Sequence, residues 1–210
     1  MRNASSPTAL LLGPGVKGFQ PDMNKRLPYD PDGAKKLLAE AGYPGGFEVA
    51  LNCPNDRYVN DAAICQAVAA NLARVGVKIN LQTETKVTYF PKVLRRDTSF
   101  FMLGWTPSTV DAHDPLYNLM ATPTDKGRGQ FNLGAYSNPA LDALTDKIQG
   151  ETDPAKRNAM IREALKIHSD DVGHIPLHQQ ALAWGAAKKV ALVQLPNNDM
   201  YFNWMKVAGK

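Results

Sequence analysis

Apolar and polar positions alternate along this chain in two periods, and the changes of period divide it into elements. From 30 onward, Ala34, Leu37, Leu38 and Ala41 recur at helical spacing behind Asp30-Pro31, an N-cap followed by a first-turn proline, and Gly42 supplies a stop. After the turn Pro44-Gly45-Gly46, the period falls to two: Phe47, Val49 and Leu51 share one face of a strand that runs to Cys53. Asn60 or Asp61 then caps a helix with Ile64, Val68 and Leu72 on one stripe, Gly76 ends it, and Val77, Ile79 and Leu81 alternate again. Strand, helix and strand joined by short turns form a βαβ unit, whose strands are parallel.

Beyond this unit, Tyr89, Phe90, Val93 and Leu94 predict a short helix, and the apolar run Ser99–Trp105 predicts a central strand covered on both faces. Two helices follow, each opened by a cap and a proline. Asn138-Pro139 leads Leu141, Leu144 and Ile148, and Asp153-Pro154 leads Met160, Ala164 and Ile167. The remainder, from Ile175 through Trp184 to Trp204, reads as β-rich. Residues 1–29 carry many Pro and Gly with no sustained period and read as an extended connection. The fold class is α/β, a lobe with a mixed, largely parallel sheet flanked by helices.

Composition adds mainly exclusions. With 210 residues the chain can bury a substantial core, and 44% hydrophobic with 21% charged residues is ordinary for a globular protein. The net charge of +4 comes from scattered Lys and Arg, many beside Asp or Glu, without the clustered stripe and interleaved aromatics of a nucleic-acid surface. No apolar run approaches the roughly 18 residues of a membrane span, and Met1-Arg2-Asn3 does not open a signal peptide. Cys53 and Cys65 are too few for a disulfide framework and badly spaced for zinc. Two buried thiols are the expectation, with a bridge left to whatever separation the fold sets.

Motifs of catalysis are missing: there is no Gly-x-Ser-x-Gly elbow, no phosphate loop and no His-Glu-x-x-His pair. His174 and His178 are four apart, but Pro176 between them opposes a helix, and on an extended segment they would lie about 13 Å apart, too far for one metal ion. Neither a metal nor a cofactor is expected. The stretch Gly104–Pro115, with Trp105, Asp111, His113 and Asp114, follows the predicted central strand. Ligands of open α/β sheets gather beyond the carboxyl ends of strands, where an indole face and a carboxylate would suit an ammonium group. Read instead as core and turn residues, the same positions carry no chemistry. A hydrolase using Asp111, His113 and Asp114 as acid, base or metal ligands is the alternative, and a protein-contact domain is a third class.

The run Tyr29–Phe47 (YDPDGAKKLLAEAGYPGGF) resembles a hallmark segment of the peptide-, nickel- and glutathione-binding family of ABC transporter solute-binding proteins. Arg57-Tyr58 before an Ala-rich helix ending Gly76-Val77-Lys78, the Gly104-Trp105 stretch, Tyr136–Pro139 and Ile175-Pro176-Leu177 follow in that family's order. The resemblance implies a periplasmic-binding-protein-like lobe, so that the chain reads as a fragment of a two-lobed protein. Its expected division is 1–19 as a connection from an N-terminal lobe, 20–173 as the α/β lobe, and 174–210 as strands returning through a hinge. It also implies a periplasmic location, a peptide or similar small polar solute as ligand, and the membrane permease of an ABC importer as partner. In dipeptide-binding relatives a carboxylate after Gly-Trp holds the peptide's amino group and an arginine before the Ala-rich helix holds its carboxylate. Here those positions fall to Asp111, with Asp114 as the alternative, and to Arg57, with Asn55 nearest in an ungapped match. Gly104, Trp105 and His113 complete the expected contacts.

Overall fold

Asp30 caps the first helix as its sequence predicts: its carboxylate accepts from the Gly33 N–H at 2.9 Å, and Pro31 opens the helix α1 (Pro31–Glu40). The computed structural model describes residues 5–195 and 197–207. Gly42, at φ +90°, reverses the chain after α1. The expected apolar face of α1 finds no cover, since none of its residues is buried and Leu37 is 66% exposed.

The βαβ unit is present as predicted. Strand β2 (Phe47–Pro54) pairs in parallel with β3 (Val77–Glu84), from Phe47 beside Val77 to Pro54 beside Glu84, and α2 (Asp61–Ala73) makes the crossover. Gly46 and Gly76 stand together where both strands begin. A Cβ on Gly46 would meet the Gly76 carbonyl oxygen at 1.9 Å, and both residues have positive φ, so two glycines are required here. Burial along β2 is not the simple alternation expected of one covered face. Leu51, Asn52, Cys53 and Pro54 are all buried, because the carboxyl end of the strand is covered on both sides.

The predicted strand over 99–105 is reduced to a single parallel bridge. Asn52 N–H donates to the Phe100 carbonyl at 2.9 Å and Met102 N–H to the Asn52 carbonyl at 3.1 Å, with Phe101 beside Asn52. Its side chains are half-buried, so it is not the doubly covered central strand that its composition suggested. Helix α3 (Lys86–Leu94) forms as expected and buries Tyr89 and Val93 against Phe90, Phe101 and Leu133. These elements belong to one compact unit, Leu27–Gly104 with Phe131–Ala135.

The second unit comprises the described parts of Met1–Arg26, Trp105–Gln130 and Tyr136–Lys210. It holds α4 (His113–Pro115), which continues into a π-helical turn (Leu116–Met120), and the helix pair α5 (Pro139–Gly150) and α6 (Pro154–Asp170). Asn138 and Asp153 cap α5 and α6 as predicted. The helices pack together, with Leu141, Thr145 and Ile148 buried on α5 and Ile161, Ala164, Leu165 and His168 on α6. The buried stripe of α6 is thus turned by one position from the expected Met160, Ala164 and Ile167. Residues 5–7 are strand β1 (Ser5–Pro7), antiparallel to β4 (His178–Gln180). Among its described residues the tail is far less β-rich than expected, holding only β4, the two-residue pair β5 (Val190–Ala191) and β6 (Lys206–Val207), and a 3₁₀ turn at Phe202–Trp204.

Candidate functional site

Parallel strands deliver their carboxyl ends to one edge, and the loop after β2 begins there. The Asn55 amide continues the ladder by donating to the Glu84 carbonyl at 2.9 Å, after which the chain turns through Arg57 and Tyr58. One carboxylate organises this turn. Asp61, the first residue of α2 and 3% exposed, accepts from the amides of Arg57 (2.9 Å) and Tyr58 (3.0 Å) through Oδ2 and from Ala62 (2.9 Å) through Oδ1. Burial alone would raise its pKa, but these amide donors hold the group below the ordinary carboxylate range. Asn60 adopts a left-handed conformation, φ 60°, in place of capping with its side chain.

The Tyr58 hydroxyl faces Gly104, accepting from its amide at 2.9 Å. Ring and glycine fit so closely that a Cβ on Gly104 would stand 2.6 Å from Tyr58 Cε1. Burial raises the Tyr58 pKa. Arg57 lies over the same ring at 4.9 Å, exposed, and it pairs with no carboxylate among the described residues. A guanidinium stacked on an aromatic face keeps its N–H fork available for a planar anion.

The two cysteines are joined. Cys53 and Cys65 form a disulfide with Cα atoms 6.6 Å apart, which corrects the expectation of two thiols. A strand end and the second turn of the following helix come within bridging distance because α2 folds directly back over β2.

In the second unit, Trp105, Asp111, His113 and Asp114 are brought together by a loop that closes on itself. Asp114, buried, accepts the Trp105 indole N–H at 3.0 Å on one oxygen, and the Ser108 amide (3.0 Å), the Ser108 hydroxyl and the Thr109 amide (3.3 Å) on the other. Asp111 accepts a bidentate pair from Arg157, at 2.7 and 3.0 Å, and the His113 amide at 2.8 Å. Its backbone bridges to Lys17. Burial works to raise the Asp111 carboxyl, but the Arg157 fork and the His113 amide hold it below the ordinary range. His113 is pushed down by burial, against the opposing pull of Asp111, and its Nε2 is buried without a hydrogen-bond partner among the described residues.

An acid–base pair for hydrolysis is not assembled here: Asp114 is taken up by its own loop, and the Asp111 charge is paired with the Arg157 guanidinium. Among the described residues no three His, Cys, Asp or Glu side chains converge as metal ligands. His178 lies in β4, while His174 instead meets His168, its Nδ1 standing 2.8 Å from the His168 Nε2. Sequence reasoning passed over both Arg157, the partner of Asp111 from 46 residues away, and Asp61, read only as a cap. The signal for Asp61 was its place four residues after Arg57, within reach of a backbone turn.

Comparison with known proteins agrees with this architecture. Residues 1–127 match the profile of the bacterial extracellular solute-binding proteins, family 5, middle segment. The heme-binding protein A of Haemophilus influenzae is 28% identical over 190 residues, covering 87% of this chain and 34% of that protein. The glutathione-binding protein GsiB of Pectobacterium atrosepticum is 30% identical over 168 residues, covering 78% of this chain and 32% of its own length. The structure of the ABC transporter-associated periplasmic binding protein DppA of Helicobacter pylori, in complex with the peptide STSA, shares the fold with a TM-score of 0.77 at 22% identity, over 84% of this chain and 34% of that one. The chain spans about a third of the length of the curated relatives it matches. By a match over more than half its residues, supported by the common lobe architecture, the chain belongs to the family 5 bacterial extracellular solute-binding proteins.

Proposed function

We propose that the chain is one lobe of the solute-binding component of an ABC importer, and that it takes a peptide or similar small polar solute into a cleft closed by a second lobe. The observation that carries this reading is Arg57: an exposed guanidinium, stacked on Tyr58 and paired with no carboxylate among the described residues, on a loop fixed at the carboxyl ends of parallel strands. Such a group suits the carboxylate end of a zwitterionic solute, which needs a compensating charge once water is excluded. Asn55, beside it at the strand end, and Gly104, pressed against Tyr58, belong to the same surface. Within the second unit, taken by itself, the reading assigns Asp111 as a contact for an ammonium group. It is the more exposed of the two loop carboxylates and, with three donors, retains acceptor capacity, while Asp114 shapes the loop around Trp105 and His113.

Names among the relatives support this class of ligand, since they include a glutathione-binding protein and a peptide complex. The disulfide suits an oxidising compartment, in keeping with a periplasmic location. Among the described residues no helix is long and apolar enough to cross a membrane, so permease subunits are assigned the transport path. The lobe acts by binding and not by turnover. Native mass spectrometry of the two-lobed protein names any co-purified solute, and calorimetry with that solute tests the two anchors. Arg57→Ala and Asp111→Asn should each weaken binding by about 3 kcal/mol, in the range found when one partner of a desolvated charge pair is removed. Losses under threefold for both would refute the assignment.

A further inference from the structure

We propose that the Cys53–Cys65 disulfide is a positioning element for solute recognition, so that affinity depends on its oxidised state. The inference rests on the reading of Arg57 as a solute contact. Its basis is where the bridge lies. Cys53 ends the buried run of β2, Cys65 is in the first turns of α2, and the residues between them include Asn55, Arg57, Tyr58 and Asp61. Both cysteines are buried, at 0% and 1% exposure, with Leu51 and with Val68, Ile79, Leu81, Phe100 and Met102 packed around them.

Asn55 is held by the Glu84 carbonyl, Asp56 accepts from the Lys86 amide at 2.6 Å and the Tyr58 hydroxyl meets Gly104, but the Arg57 backbone is fixed from the far end of the loop. Arg57 and Tyr58 hang their amides on the Asp61 carboxylate, and Asp61 is fixed because it begins α2. The bridge sets where α2 begins relative to the strand. A chain of fixed points therefore runs from strand to disulfide to helix to Asp61 to the Arg57 backbone. Breaking it frees the loop to sample more states, and ordering it again is subtracted from the binding free energy. The reaction is a two-electron thiol–disulfide exchange: a dithiol reductant attacks one sulfur, the S–S bond breaks, two protein thiols form, and the dithiol closes to a cyclic disulfide.

The test uses the two-lobed protein, with an equimolar mixture of tripeptides bearing free termini as probe and bound peptide read by native mass spectrometry. Cys53→Ala/Cys65→Ala removes the bridge, and Cys53→Val/Cys65→Ala replaces it should the alanine pair fail to fold. The expected result is at least tenfold weaker binding and faster hydrogen exchange at the Arg57 and Tyr58 amides, with the β3 amides of Ile79 and Leu81 unchanged. Arg57→Ala should cost tenfold or more in the bridged protein and less than threefold without the bridge, a non-additivity that mere loss of stability would not produce. Unchanged loop exchange, unchanged affinity, or additive losses overturn the proposal. Should Arg57→Ala leave binding intact in the bridged protein, it is the reading of Arg57 that fails, and the inference falls with it.

Discussion

The Trp105 indole donates to Asp114 at 3.0 Å, and the other oxygen of that carboxylate collects both donors of Ser108 and the amide of Thr109. One buried acid thus shapes the whole 105–114 loop. Asp114→Ala should lower stability by about 2–4 kcal/mol, because four donors lose their acceptor inside the fold. Urea unfolding of the variant measures it, and a change below about 0.5 kcal/mol would show that water replaces the carboxylate.

Asp111 and Arg157 join the same loop to α6. The Asp111 pKa is depressed in the folded state, so its contribution to stability is present above the unfolded carboxylate value and is lost as pH falls through the lower, folded one. Asp111→Asn should therefore destabilise at pH 7 and flatten the acid limb of the stability profile below about pH 4. Thermal melts from pH 2 to 7, compared with those of the native sequence, check the sign.

His168 and His174 share one hydrogen bond inside the second unit, edge-on to Tyr136. Burial, together with the His174 ring, draws the His168 pKa down from 6.5 to about 3, against a weaker pull from Asp171. The unfolded chain binds a proton on this ring before the folded one does. Stability is therefore complete above pH 6.5 and declines as pH falls toward 3, by up to about 5 kcal/mol over the full interval. His168→Gln should cost stability at neutral pH and remove that slope, which denaturant titrations at pH 7, 5.5 and 4.5 would reveal.

Gly104 has no room for a side chain. Gly104→Ala drives a methyl group to 2.6 Å from the Tyr58 ring, so it should cost about 1–3 kcal/mol, and Tyr58→Ala in the same chain should recover part of that loss. A double-mutant cycle by chemical denaturation decides it: additivity would mean that the ring does not occupy the space.

The helices and the βαβ unit were legible because their signals are local. Asp30-Pro31, Asn138-Pro139 and Asp153-Pro154 write the caps directly into the sequence, and the period of two across Phe47–Leu51 and Val77–Leu81 marks paired strands. What was misjudged depends on distant chain. Ser99–Trp105 is apolar enough for a central strand yet pairs through one residue, since pairing length is set by its neighbours and not by composition. Among its described residues the tail after Ile175 likewise holds only short ladders. The disulfide depended on a separation between strand and helix that spacing alone does not give. The residue types of the candidate site were visible, but their duties were not. Whether an aspartate awaits a ligand or already holds a tryptophan or an arginine is decided by side chains that arrive from elsewhere in the fold.

Three residues near the start of the chain, Ser5–Pro7, zip against three far along it, His178–Gln180. Arg26 fastens the same place by donating to the Leu177 carbonyl at 2.7 Å. Neither segment is a dispensable extension: trimming either would strip its mate of ladder partners and leave a raw edge open to pairing with other molecules. A shortened version meant for crystallisation or display should keep both segments or discard both.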